Sequence, residues 1–141
     1  MSAQAGSVID ASVTLRWMLE GEPDSRATGV MESLDEHFAL VPVLWHFEVA
    51  NGLRNAVRVG IHSPEAITAI SSRLDQLDIR TDVITPQVQR LALEAIGTGL
   101  TSYDVSYLLL ARDRGLPLAT LDVELAAAAR SAGVKLAFED A

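Results

Sequence analysis

The 141-residue sequence predicts an α/β fold with a mainly parallel sheet. Short apolar runs alternate along it with longer stretches whose apolar residues recur every three or four positions. Glycine, proline and capping residues mark the joins between them. With 49% hydrophobic residues, the chain has material for one sizeable core, so residues 1–141 read as a single domain with 1–6 as a flexible lead.

Ser7 to Asp10 reads as a short buried strand, and Ser12 as the cap of a helix from Val13 to Leu19 that ends at the turn Glu20-Gly21-Glu22-Pro23. Asp24 starts a second helix reaching about Glu36. Phe38 to Val41 is the next strand, ended by Pro42. Leu44 to Val59 has helical spacing, with Phe47, Ala50, Leu53 and Val57 on one stripe and Gly60 as its stop. Ser63-Pro64-Glu65 opens a helix through Ile67, Ile70 and Leu74. Leu77 to Val83 alternates apolar and polar, as an exposed or edge strand does. Thr85-Pro86 opens a helix from Gln87 to Ile96, broken by Gly97-Thr98-Gly99. Thr101 or Ser102 caps the helix Tyr103 to Arg114, which Gly115 ends. Leu116 to Leu121 is a buried strand, Val123 to Ala132 the last helix, and Val134 to Phe138 a final short strand.

Composition excludes several classes. Without cysteine there is no disulfide framework, thiolate zinc site or iron–sulfur cluster. No apolar run approaches the ~20 residues of a membrane span, and residues 1–6 lack the features of a signal peptide, so a cytoplasmic protein is expected. A net charge of −8 opposes broad attraction to nucleic acid, so any polyanion partner requires a local cation. The basic residues are all arginine except Lys135, which suits bidentate phosphate contacts, although coding bias is the favoured explanation.

Four acids sit where the chain turns from apolar to polar: Asp10, Glu48, Asp104 and Asp122. Carboxylates at such junctions are costly to desolvate unless paired, and a divalent cation is one partner. Asp10 and Asp122 follow strands, and Asp104 and Asp122 fall at helix starts. In an open parallel sheet this brings three of the four to one edge, beyond the carboxyl ends of the strands. Glu48 joins them if its helix crosses that edge. Magnesium or manganese ions on such carboxylates activate water and stabilise a leaving oxygen in phosphodiester hydrolysis. Each acid also has a structural explanation: Asp104 and Asp122 as helix N-terminal acids, Glu48 as a solvated helix residue, Asp10 as a strand-end turn residue. Ser12 serves either as N-cap or as a phosphate or water ligand, and Asn51, one turn after Glu48, either orients that carboxylate or is solvated.

His46-Phe47-Glu48 is a fragment of a zinc deaminase signature, but the cysteines that chemistry requires are missing. The three histidines lack metal-ligand spacing, and Gly97-Thr98-Gly99 is a turn rather than a phosphate loop.

Val8-Ile9-Asp10-Ala11-Ser12, Glu48-Val49-Ala50-Asn51-Gly52-Leu53, Leu100-Thr101-Ser102-Tyr103-Asp104-Val105-Ser106-Tyr107-Leu108 and Ala119-Thr120-Leu121-Asp122 together resemble, in order and spacing, the PIN-domain ribonucleases of the VapC toxin type. The resemblance implies a three-layer α/β/α domain that cleaves RNA with Mg2+ or Mn2+. Asp10, Glu48, Asp104 and Asp122 match the family's four acids, with Asp10 and Asp104 as direct ligands. Glu124 holds the place of a further acid found in many relatives. A homodimer and an antitoxin whose segment enters the acidic pocket are implied as partners. Arg16, Arg54 and Arg58 are candidate phosphate contacts, although a solvated helix face explains them too and the lysine-poor, acidic composition departs from that of an RNA binder. The alternative is a catalytically inert PIN-like module that binds RNA or protein. A phospho-acceptor signalling domain and an Asp-x-Asp phosphatase fit poorly, since Asp10 has no acidic neighbour and Ser12 occupies the second position after it.

Overall fold

A computed structural model describes residues 5–19 and 21–138. Four parallel strands form the sheet in the order β3-β2-β1-β4: β1 is Gly6–Ile9, β2 Phe38–Pro42, β3 Ile79–Asp82 and β4 Leu118–Ala119. From β1 the chain steps outward twice, to β2 and then β3, and returns to the far side of β1 for β4. The order therefore reverses between β1 and β4, the place where open α/β sheets hold ligands.

Among the described residues, seven helices cover the sheet: α1 (Ala11–Met18), α2 (Ser25–Glu32), α3 (Val43–Arg58), α4 (Pro64–Ser72), α5 (Val88–Thr98), α6 (Ser102–Arg114) and α7 (Val123–Ser131). α1 packs on α2 and α3, while α6 lies across β1, β2 and β4 with α5 and α7 beside it. This is the expected α/β/α layering. The core is made of fully buried side chains such as Val8, Ile9, Val41, Tyr107, Leu108, Leu109 and Leu118. Each buried aliphatic side chain contributes about 1.5–3 kcal/mol relative to exposure. No helix among the described residues is long and apolar enough to cross a membrane.

Several expectations need correction. Gly6 pairs with Phe38 in the sheet and the Ala5 carbonyl accepts the Phe38 N–H, so the flexible lead does not extend to residues 5 and 6; residues 1–4, like Glu20, lie outside the described residues. Asp10, not Ser12, caps α1, because the Asp10 carboxylate accepts the Val13 N–H and the helix starts two residues early. The α3 stripe is displaced: Trp45, Val49, Leu53 and Ala56 face inward, while Phe47 is 66% exposed. β4 has two residues instead of six, and the last expected strand contracts to a single bridge, Leu118 to Leu136. The edge position of β3 and the caps Asp24, Ser63 and Thr101 are as the sequence predicts. Gly52 lets α3 approach α1, since a Cβ there would lie 2.4 Å from Leu15 Cδ1.

Candidate functional site

Register alone brings Asp10 to Thr120. Ile9 pairs with Ala119, and the Asp10 N–H donates to the Ala119 carbonyl, so the next side chains of the two strands meet just beyond the ladder. The Thr120 hydroxyl donates to Asp10 Oδ2 at 2.5 Å and the Ser12 hydroxyl to Asp10 Oδ1 at 2.6 Å. The two hydroxyls in turn accept the Asp122 and Leu121 N–H groups, respectively. Asp10 is buried, and burial pushes its carboxyl pKa up even though Ser12, Thr120 and the Val13 N–H favour its charged form; the Glu48 charge pushes the same way as burial.

Glu48 lies in the second turn of α3, which follows β2 directly, and its Oε1 accepts the Tyr107 hydroxyl at 2.5 Å. It is half-buried and paired, unlike a solvated helix residue. Asn51 is exposed and its side chain makes no hydrogen bond to the described residues, whereas Tyr107 donates to Glu48, so the observed group that orients Glu48 is Tyr107. Burial and the Glu48 carboxylate hold the Tyr107 phenol protonated, far above its ordinary range.

α6 feeds β4, so it runs opposite to the strands and its first turn opens on their carboxyl edge. Asp104 stands in that turn, behind the cap Thr101, whose hydroxyl accepts the Asp104 N–H. Its pKa is raised by burial first, then by Asp122, with Glu124 adding to the effect. Asp122 caps α7, accepting the N–H groups of Glu124 and Leu125 through Oδ1, which makes its helix-terminal role real. The charge of Glu48 thus bears on Asp10, and those of Asp122 and Glu124 bear on Asp104.

Oxygen donors of this kind suit Mg2+ or Mn2+ rather than a soft metal. As placed, no group of three or more His, Cys, Asp or Glu among the described residues is close enough to hold an ion, so a shared cation requires the acids to be drawn closer. Arg54 and Arg58 are exposed on α3 beyond Glu48, and Arg16 is exposed on α1, where its Nε donates to the Glu22 carbonyl. Tyr107 and Thr120 escaped the sequence reading. The available signals were helical spacing from Asp104 and a hydroxyl two residues before Asp122.

Solved structures resemble this architecture. That of PAE2754 from Pyrobaculum aerophilum matches with a TM-score of 0.67 and 23% identity, over 89% of this chain and 87% of that one. A domain of a functionally unknown protein from Methanocaldococcus jannaschii matches with a TM-score of 0.51 and 14% identity, over 97% and 92%. At these identities the likeness concerns the fold. No curated protein matches the sequence. The model of the PIN domain matches residues 7–131, from within β1 to the end of α7, and the chain belongs to the PIN domain family.

Proposed function

We propose that this protein is a Mg2+- or Mn2+-dependent endoribonuclease and the toxin of a type II toxin–antitoxin pair, acting in the cytoplasm. PIN domains are generally nucleases. The observation that carries the reading is Asp10: a buried carboxylate at the reversal of strand order, gripped on both oxygens by hydroxyls and facing a second acid, Glu48. A bound divalent cation supplies Lewis-acid activation of water and charge neutralisation at the phosphate. Asp10 and Asp104 are its direct ligands in this reading, and Glu48 and Asp122 complete the acidic set. Ser12 and Thr120 hold Asp10 in one orientation. Arg54 and Arg58 follow the exposed stripe of α3 away from Glu48 and give RNA phosphates a local positive track on a chain of net charge −8. Arg16 is the third such contact.

Two partners belong to this reading. A second copy of the chain is supported by an exposed apolar face beside α5 and α6, where Val83, Ile84 and Val88 are 75–83% exposed next to a cleft of about 380 Å3 lined in part by Leu44, Leu91 and Leu110. An antitoxin that presents a cationic side chain to the acids is the other.

End-labelled RNA incubated with Mn2+ is expected to be cut to 5′-phosphate and 3′-hydroxyl ends, with cutting abolished by EDTA and by Asp10→Asn. EDTA-resistant cutting, or 2′,3′-cyclic phosphate ends, refutes the mechanism. That no three of the acids among the described residues lie close enough to hold an ion favours one competitor, the inert binding module. RNA bound but never cut at any Mn2+ concentration would establish it.

A further inference from the structure

We propose that Tyr107 is a positioning residue: its hydroxyl ties α6, which carries Asp104, to Glu48 on α3 and fixes which oxygen of Glu48 faces the site. The inference rests on the nuclease reading above. Tyr107 is 1% exposed, and its ring fills the core as phenylalanine would. The hydroxyl therefore needs its own explanation, because a buried hydroxyl is costly unless paired.

Its partner gives one. The hydroxyl donates to Glu48 Oε1 at 2.5 Å. Glu48 belongs to α3, and Tyr107 lies three residues after Asp104 on α6. One hydrogen bond thus joins the two helices at the level of the acids. Its direction is fixed. A carboxylate can only accept, so the phenol proton is committed to it. Oε1 of Glu48 is then held, and Oε2 is the oxygen left to meet a cation or a water molecule. Such support of a ligating carboxylate commonly changes metal affinity or activity by 10- to 100-fold.

The test uses the full chain, with Mn2+ binding followed by calorimetry and RNA cleavage followed over a Mn2+ series. Tyr107→Phe keeps the ring and is expected to weaken Mn2+ binding and raise the Mn2+ needed for half-maximal cleavage by about 10- to 100-fold. Leu109→Val, a core change on the same helix away from Glu48, should lower the melting temperature and leave Mn2+ affinity unchanged. On a Glu48→Ala background, Tyr107→Phe should cost no further Mn2+ affinity, since its action passes through that carboxylate. If Tyr107→Phe fails to fold, Tyr107→Met, a flexible apolar side chain without a donor, must show the same loss. Wild-type Mn2+ affinity and cleavage in the folded variant overturns the proposal and leaves the nuclease reading intact. A wild-type chain that neither binds Mn2+ nor cuts RNA overturns both.

Discussion

Replacing Thr120 with valine keeps the shape of a buried side chain and removes one hydroxyl, which donates to Asp10 Oδ2 and accepts the Asp122 N–H. Asp122 is exposed, so water can take over its N–H, whereas Asp10 is buried and its Oδ2 loses a charge-assisted bond. Hydrogen bonds to charged groups contribute about 1.5–3 kcal/mol, and the apolar gain of valine offsets part of this, which leaves a loss of about 2 kcal/mol at neutral pH. For a chain of this length that corresponds to a melting temperature lower by roughly 6–10 °C. The loss should depend on pH with a definite sign. The folded-state pKa of Asp10 is already raised by burial, and losing a donor to the charged form raises it further. The protonated carboxyl depends less on the missing donor. The difference between wild type and Thr120→Val is therefore greatest above the raised pKa and shrinks as pH falls toward the ordinary carboxylate range. Urea unfolding at several pH values, followed by the fluorescence of Trp17 and Trp45, measures it. A loss that is the same at every pH, or below about 0.5 kcal/mol at neutral pH, would show that the Thr120 hydroxyl does not hold a charged Asp10.

Asp104→Asn should melt at an equal or higher temperature than wild type in EDTA near neutral pH, because burial, Asp122 and Glu124 raise the pKa of Asp104 and its charge opposes folding above the unfolded value. The gain should disappear in acid, and a clear loss of stability at neutral pH would make Asp104 a helix-terminal residue and nothing more. Arg54→Ala and Arg58→Ala should raise KM for RNA more than they lower kcat, each reducing the slope of log affinity against log salt by about one; unchanged slopes remove them from the phosphate track. Gly52→Ala places a Cβ 2.4 Å from Leu15 Cδ1, and an overpacking cost of about 1–3 kcal/mol should outweigh the ~1 kcal/mol gained in helix propensity. A thermal melt showing net stabilisation would mean that Leu15 swings aside freely.

What the sequence disclosed follows the range of the forces involved. Asp24, Ser63 and Thr101 cap their own helices within two or three residues, so local pattern finds them. The inward face of α3 is decided by what packs on it. Phe47 fits the apolar period yet is exposed, while Trp45 reaches Thr14, 31 positions away. β4 is brief because its neighbour beyond Leu118 is a single bridge at Leu136, which no local run of apolar residues reveals. At the site, the four acids stand out as carboxylates at apolar junctions. The groups that orient two of them do not, because Tyr107 looks like a core aromatic and Thr120 like a strand residue until the fold sets them against partners 59 and 110 positions away.

The span between Asp10 and Thr120 also orders events during synthesis. Asp10 leaves the ribosome 110 residues before its partner Thr120, which follows β4, and Tyr107 arrives shortly before that strand. Parallel pairing over such a distance pays its loop-closure entropy before any contact rewards it, so docking of β4 onto β1 belongs to the late part of folding. Until then a nascent chain holds its acids on separate, unassembled elements. In the nuclease reading proposed above, the RNA being translated beside the chain is safe for as long as β4 is unmade, and the interval in which an antitoxin would have to meet it begins only when that strand closes.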